Sequence, residues 1–480
     1  MSNKNTYLFT LTITPVQSFI SQSRKTKDLF AGSEILSKLI EKALNSVKDE
    51  DIIFPKYTQK DTQVVSNKFV ILLIDKTEKE VKELGNRLKE CINKTCINLL
   101  FEHTKIYDNF FENFFQPFWV AVEYDKNRHK ESYKKLEQSL GAVKNLRTFT
   151  QMKQEGARKC SLCGERNGTF YKYREDENGK QIKPRYISIK AIPLKENNIQ
   201  NIDINHIKDN ETLCPICFTK RFYTGSYPST EDISNDNKYY ALVQFDIDDM
   251  GIHLSNAKDI QAQRDLSEKI GEFSQKAKDI VSKKYTIYAG GDDFLGFVEL
   301  NNLFSIIKKI KEVFPKGNLT FSTSIVIAHD KAPLHKVLDF SRELLAETKA
   351  HFDNKNGVGI VVLSDSAINA KTICRYENLE LLKEMKEQKV GMSLHYKLQT
   401  LFSYLDNMSY DEFLIQKEMI KVEIKRLLKR EDGNFDEKIY NSLIAFFNNQ
   451  KIERSTNSYE IDLDNFIGYL KTLEQLRKVM

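Results

Sequence analysis

Tyr288-Ala289-Gly290-Gly291-Asp292-Asp293-Phe294 lies near the middle of a 480-residue chain and decides how the rest is read. Two glycines precede two carboxylates. Thr286, Ile287 and Tyr288 lead in, and Phe294, Leu295, Phe297 and Val298 lead out. These apolar, β-rich flanks predict strand, tight turn, strand, with the acids at the turn. Glycine lets the backbone turn and lets a ligand come close. Paired carboxylates at a hairpin tip suit a hard divalent cation, Mg2+ or Mn2+, which binds through a few carboxylates plus substrate phosphates. The reading is nucleotide chemistry. Alone, such a turn is also what an ordinary acidic hairpin looks like. The test is a second carboxylate on an adjacent strand.

Tyr239 to Phe245 supplies that strand, and it runs into Asp246-Ile247-Asp248-Asp249-Met250-Gly251. Side chains alternate along a strand, so Asp246 and Asp248 share a face if the strand persists that far. Several carboxylates ending a buried strand are unfavourable unless a cation or solvent compensates them. A helix is predicted from about Asp259 to Lys283, with Leu266, Ile270, Phe273, Ala277 and Ile280 at helical spacing. After the glycines come a strand to Glu299, a helix (Leu303 to Phe314) and a strand (Leu319 to Ala328). The order β-α-β-β-α-β is ferredoxin-like and sets the first strand beside the central hairpin. Asp246 then meets Asp292 and Asp293. This is the constellation of a palm-type nucleotidyl-transfer site, where two metals about 4 Å apart clamp the attacking and leaving oxygens. Catalysis of that kind is positioning plus charge neutralisation.

Seven cysteines are present, and four form two close pairs, Cys160/Cys163 and Cys214/Cys217. Each C-x-x-C can present two thiolates to one tetrahedral Zn2+. Lys159, Arg166, Lys220 and Arg221 flank the pairs, and positive charge favours thiolates. Four thiolates leave no open coordination position, so the zinc is structural. Cys91, Cys96 and Cys374 lie in apolar contexts that suit free thiols. With no signal peptide and no membrane-length apolar run, disulfides are disfavoured and the chain reads as cytoplasmic. Net charge is only +6, from 73 basic and 67 acidic residues, so bulk charge does not announce a nucleic-acid binder.

The expected organisation is α+β. Residues 1–150 form a first palm-like unit without the glycine–aspartate turn, including strands at Tyr7 to Ile13, Phe69 to Ile74 and Phe118 to Val122. Residues 151–236 form the four-cysteine region, 237–375 the second palm, and 376–480 a helical C-terminal domain. The polar, basic stretch Gln17 to Asp28 reads as a solvated face or a phosphate contact. The C-terminal stripe of Leu398, Leu401, Phe402, Leu405, Phe413, Ile420, Ile424, Leu427 and Leu428 reads as core. His329-Asp330, the one His-Asp dipeptide, lacks the upstream histidines of a metal-dependent HD nuclease and reads as a surface or loop pair.

Several segments together resemble the large subunit of type III CRISPR effector complexes, the Cas-ten polymerase/cyclase family, in its Cmr branch (type III-B). They are TPVQSFISQSRKTKDLFAGSEILSKLI (Thr14 to Ile40), NKFVILLI (Asn67 to Ile74), ARKCSLCGER (Ala157 to Arg166), ETLCPICFTKR (Glu211 to Arg221), FDIDDMG, YAGGDDF and SIVIAHDKAPLHKVLDFSRELLAETK (Ser324 to Lys349). The resemblance spans nearly the whole chain. It implies two ferredoxin-like palms, a zinc region between them and a helical C-terminal domain. It implies that the second palm joins ATP into cyclic oligoadenylates when the complex binds target RNA. On that template Asp246 and Asp292 are the leading metal ligands, with the Ile247 carbonyl a third. Asp293 supports the second metal or activates the attacking hydroxyl. Lys349 holds a triphosphate, Gly290 and Gly291 admit phosphate to the backbone, and Ser33 lines an acceptor pocket in the first palm. Otherwise Lys349 is a solvated helix end and Ser33 a helix cap. Implied partners are guide RNA, target RNA and the other complex subunits, especially the one that binds the guide's five-prime handle and the small subunit; no membrane is implied. Many family members open with an HD nuclease domain, whereas Met1 here leads directly into the palm, so no single-stranded DNase activity is expected. Members without that domain leave the acceptor open: ATP, or another molecule such as S-adenosylmethionine. The competing readings are a non-catalytic scaffold of the RNA-guided complex and a free-standing diguanylate-cyclase-like enzyme. The intact acids argue against the first, the zinc region and first palm against the second.

Overall fold

The computed structural model describes residues 4–55, 66–104, 114–146, 157–187, 191–194, 206–223, 225–364, 367–388, 394–403, 410–432, 436–455 and 458–480. The chain divides into two compact units. One comprises Met1–Ser229, Asp249–Lys278 and Ile287–Asp292; the other comprises Thr230–Asp248, Asp279–Thr286 and Asp293–Met480.

The first unit opens with β1 (Asn5–Thr14), whose residues Tyr7 to Ile13 are all buried. A strand covered on both faces reads as a continuous run rather than an alternation. It is followed by α1 (Gln17–Ser21), α2 (Thr26–Leu44), β2 (Ile52–Phe54), β3 (Lys68–Lys76), α3 (Glu78–Thr104), β4 (Gln116–Glu123) and α4 (His129–Asn145). The sheet order is β2-β3-β1-β4, the ferredoxin-like arrangement expected from the sequence. Ser23, Thr26 and Asp28 are buried while Gln17, Ser18 and Arg24 are exposed, so the polar stretch Gln17 to Asp28 is solvated only in part.

The cysteine region is built from very short strands. Of these, β5 (Phe170–Tyr171), β8 (Ile192–Pro193) and β9 (Thr212–Leu213) form one sheet, and β6 (Arg174–Glu175) pairs with β7 (Gln181–Ile182). Helix α5 (Pro215–Phe222) starts on Pro215, where the missing N–H costs nothing. The sulfurs of Cys160, Cys163, Cys214 and Cys217 all lie within 4.8 Å of one another, a set that suits one tetrahedral ion. Hydrogen bonds from Cys160, Cys214 and Cys217 hold the Cys163 thiol well below its usual range. The flanking cations divide their work differently from the sequence reading. Arg166 lies near Cys214, Cys163 and Cys217. Lys220 is buried and donates to the carbonyls of Phe19 (2.6 Å) and Gln22 (2.8 Å). Arg221 turns to Asp28, with bonds of 2.6 and 3.0 Å, and to Glu211. Burial pushes the Asp28 carboxyl up, but the Arg221 guanidinium overcomes this and holds it below the carboxylate range.

The second palm begins with α6 (Thr230–Ser234) and β10 (Tyr239–Ile247). Along the chain follow α7 (Met250–Ser255), α8 (Ile260–Val281), β11 (Thr286–Gly290), β12 (Asp293–Glu299), α9 (Leu303–Val313), β13 (Phe321–His329), α10 (Leu334–His351), β14 (Val358–Ser364) and β15 (Ala367–Cys374). The sheet order is β11-β12-β10-β13-β14-β15. Its first four strands repeat the order of the first palm. Strands β14 and β15 extend the sheet beyond the β-α-β-β-α-β reading, so α10 is not the last element over the sheet. Residues Val358 to Leu363 are buried, and β14 runs parallel to β13, as a helix crossover requires. Helix α10 lies flush on β14 because Gly359 has no side chain: a Cβ there would sit 2.3 Å from Thr348 Oγ1.

The C-terminal region comprises α11 (Tyr376–Glu387), α12 (Leu394–Ser403), α13 (Tyr410–Asp432), α14 (Glu437–Asn448), a hairpin of β16 (Lys451–Ser455) and β17 (Ser458–Ile461), and α15 (Leu463–Val479). The hairpin was not foreseen. Leu398, Phe402, Ile420, Ile424, Leu427 and Leu428 are buried, so the stripe is core. The side chains of Leu405 and Phe413 lie outside the described residues. Among the described residues, no helix is long and apolar enough to cross a membrane.

Two outcomes follow from the first unit. Elemental analysis of purified protein is expected to find about one Zn2+ per chain, lost in a Cys163→Ser, Cys217→Ser double variant. Breaking a buried ion pair strands its partner's charge, so Arg221→Ala is expected to destabilise this unit by about 3–5 kcal/mol. Urea titration followed by circular dichroism measures that loss.

Candidate active site

The site forms where β10 and β12 begin and end together. Antiparallel pairing sets Asp246 directly opposite Asp293. Opposed residues on such strands have Cβ atoms about 5 Å apart, so the two carboxylates share one face and one locality. Both side chains are half-buried. Burial pushes the Asp293 carboxyl up to about 6. From the last turn of α10, the Lys349 ammonium pairs with the Asp246 carboxylate. Burial and then the nearby Lys355 ammonium pull Lys349 down to about 8, and its pairing with Asp246 works against that shift.

Ile247 ends β10 with its side chain in the core. Gly290 ends β11. Gly291 has φ +63°, which glycine adopts without strain, and a Cβ there would lie 3.3 Å from Phe54. Ser274 Oγ donates to the Gly291 carbonyl at 3.0 Å and fixes the turn. Asp292 follows, half-buried. The buried Tyr133 hydroxyl is raised by burial, then by Glu137, and then by the Asp292 charge. Ser274 and Tyr133 are therefore neighbours of the turn that sequence reasoning missed. They are ordinary helix residues far away in sequence, and nothing local marks them.

Asp248 departs from the alternation argument. The strand ends at Ile247, and the Asp248 carboxylate turns into the protein. It accepts from Thr320 Oγ1 (2.9 Å), Ser322 Oγ (2.9 Å) and the Asn356 backbone N–H (3.0 Å). It is a strut, and the structure does not group it with Asp246. Ser33 is buried in the interior of α2, several residues from its start, which rules out a cap. His329 closes β13 and pairs with Asp330 at 2.8 Å.

The first palm shows what this geometry becomes without the acids. There the corresponding pair across the first and third strands is Thr12 opposite Lys68, and Lys68 bonds Glu137 at 2.5 and 2.7 Å. That pair offers a threonine and a neutralised cation, which is no place for a divalent metal. In the second palm the same position carries Asp246 opposite Asp293, whose carboxylate oxygens are the kind of donor that Mg2+ or Mn2+ takes.

Comparison with known proteins distinguishes the same two regions of the chain. Residues 239–359 match the family model described as Cas10/Cmr2, second palm domain, and residues 8–100 match CRISPR-associated protein Cmr2, N-terminal. The CRISPR system Cmr subunit Cmr2 of Pyrococcus furiosus is 22% identical, over 92% of this chain and 72% of that protein. A chain of the type III-B Cmr-beta complex bound to cognate target RNA is similar at TM-score 0.69 and 15% identity, over 99% of this chain and 83% of that one. The Csm1–Csm4 cassette in complex with cA4 is similar at TM-score 0.55 and 15% identity, over 99% and 70%. At those identities the structural likeness speaks to the fold. Both palm regions match models of a single family, and a Cmr2 relative aligns along most of the length, so the chain belongs to the Cas10/Cmr2 family, in its type III-B Cmr2 branch.

Proposed function

We propose that this protein is a metal-dependent nucleotidyltransferase that joins ATP into cyclic oligoadenylates as a subunit of a target-RNA-activated type III-B complex. The observation that carries the reading is the register of Asp246 with Asp293, beside Lys349. Bound Mg2+ or Mn2+ would supply charge neutralisation at the transferring phosphate. The chain's own residues then have distinct tasks. Asp246 and Asp292 would hold the ions, helped by the Ile247 carbonyl. Asp293, with its raised carboxyl, is suited to take the proton from the attacking hydroxyl. Lys349 exchanges its ion pair with Asp246 for the triphosphate, and Gly290 and Gly291 let phosphate approach the backbone. RNA and other subunits enter the reading from the relatives, solved in a Cmr-beta complex with target RNA and in a Csm1–Csm4 cassette with cA4.

Assembled complex supplied with target RNA, ATP and Mg2+ or Mn2+ is expected to yield new adenylate products by mass spectrometry. Asp292→Asn with Asp293→Asn is expected to abolish them; unchanged product would refute the reading. A product joined to a different acceptor would change the acceptor and leave the site assignment standing.

The two titrating groups set the expected pH dependence. Asp293 must lose its proton to bind metal or accept one, so the rate falls as pH drops below about 6. Lys349 must keep its proton to hold phosphate, so the rate falls again above about 8. Metal competes with the proton, so raising Mg2+ is expected to move the acid limb to lower pH and leave the alkaline limb in place. Initial rates across pH at two Mg2+ concentrations check this.

A further inference from the structure

Gly291 is buried just beyond β11, and the atoms nearest its open side come from the first palm. β11 is the outermost strand of its sheet, so a ladder holds the turn from one side only. The other supports are specific. A Cβ on Gly291 would lie 3.3 Å from Phe54 Cζ and 3.6 Å from Ser66 Oγ, so the turn rests on β2 and on the residue two before β3. Phe54 and Ser66 are both buried. From α8, Ser274 Oγ donates to the Gly291 carbonyl at 3.0 Å. Hydroxyls inside helices commonly bond the carbonyl four residues back, as those of Thr95, Thr219 and Thr472 do here. The buried Ser274 instead bonds a residue seventeen positions ahead, so its bond serves the turn rather than its own helix.

Helix α8 is itself tied to the same strand. In its second turn, Arg264 donates from Nε to the Ile52 carbonyl at 3.2 Å and from a terminal nitrogen to the Glu50 carbonyl at 2.5 Å. β2 is an edge strand, and edges leave backbone acceptors without a ladder. A guanidinium meets two such acceptors with a rigid fork, which sets the helix along the strand as well as beside it. The contacts close on themselves. They run from β2 to Arg264, along α8 to Ser274, across to Gly291, and back through Phe54 to β2. Ten residues separate Arg264 from Ser274, about 15 Å along the helix, so the two act at a distance from each other. Asp292 is the next residue after Gly291 and goes where this ring of contacts sets the turn.

We propose that Arg264 and Ser274 are positioning residues for the metal-binding turn, and that the first palm, though it lacks the acids, is the platform on which β2 and α8 hold that turn. This rests on the nucleotidyltransferase reading and gives the first palm a part in it.

The test is Mn2+ binding to the full-length, zinc-loaded protein, read from loss of the free-ion electron paramagnetic resonance signal. The proteins compared are the wild type, Asp292→Asn, Ser274→Ala, Arg264→Ala and the Ser274→Ala, Arg264→Ala double variant. Asp292→Asn is expected to lose the tight ion, which places that ion at the turn. Ser274→Ala and Arg264→Ala are each expected to weaken it about three- to tenfold at unchanged stoichiometry, the reach of one hydrogen bond. Independent residues this far apart have additive free energies, so their fold losses multiply. Two residues acting through one turn do not, and the double variant is expected to fall short of the product of the single losses. A fold defect alone lowers the number of ions bound and leaves their affinity unmoved. Wild-type affinity in either single variant, at full or reduced stoichiometry, overturns the positioning role while the nucleotidyltransferase reading stands. Losses that multiply in full overturn the shared path through α8. A wild type that binds no Mn2+, or an Asp292→Asn variant that holds it as tightly, overturns both readings.

Discussion

Two carboxylates placed directly opposite each other on paired strands repel, and the second palm is arranged around that repulsion. The register of β10 against β12 fixes Asp246 across from Asp293, so neither can move away without breaking the ladder. Relief has to come from a cation delivered to that point. Lys349 is that cation, and its place depends on packing two turns away. Ser341 Oγ donates to Gln244 Oε1 at 2.9 Å and meets Ser324 Oγ at 3.0 Å, which joins α10 to β10 and β13. Gly357 and Gly359 let the last turns of the same helix settle on β14. Buried polar groups that satisfy one another specify one arrangement, because any slip leaves one unpaired. The serines and glycines thus do for the helix what the ladder does for the strands.

The first palm is the internal control for this argument. Its strand order repeats that of the second palm's first four strands, yet it sets Thr12 against Lys68 where the second palm sets Asp246 against Asp293. One backbone arrangement therefore carries a neutralised cation in one unit and a pair of acids in the other. Fold places the residues; the residues decide the chemistry.

The parts legible in the sequence were those with a local signature. Glycine before acid marks a turn, apolar runs mark buried strands, and helical spacing marks α8 and the C-terminal stripe. These suffice for the order of the second palm's first four strands and for the meeting of Asp246 with Asp293. What escaped has no local mark. Strands β14 and β15 follow a complete β-α-β-β-α-β unit, so nothing nearby demands them. The left-handed pair Lys355 and Asn356 carries no glycine to announce it. Asp248 looks like a third acid of the site until the strand is seen to stop one residue earlier. Arg221 sits beside a cysteine in sequence but meets Asp28, almost two hundred residues away. Long-range polar pairing of this kind leaves no period to read.

The cysteine cluster shows why such pairings belong to one design. Cys214 and Cys217 lie at the start of α5, and the next turn of that helix carries Lys220 and Arg221 into the α1–α2 segment. Burial alone drives the Lys220 ammonium toward neutrality, and the thiolate charge of Cys217 and the carboxylate of Asp28 oppose this. Four thiolates around a dication would keep a net negative charge, so a metal-bound cluster would remain a counter-ion for the buried lysine. Lys220 in turn caps the carbonyls of Phe19 and Gln22 at the end of α1, where a helix leaves acceptors unmet. The cluster's sulfurs thereby share with Asp28 the task of offsetting a buried lysine that closes a helix of the first palm.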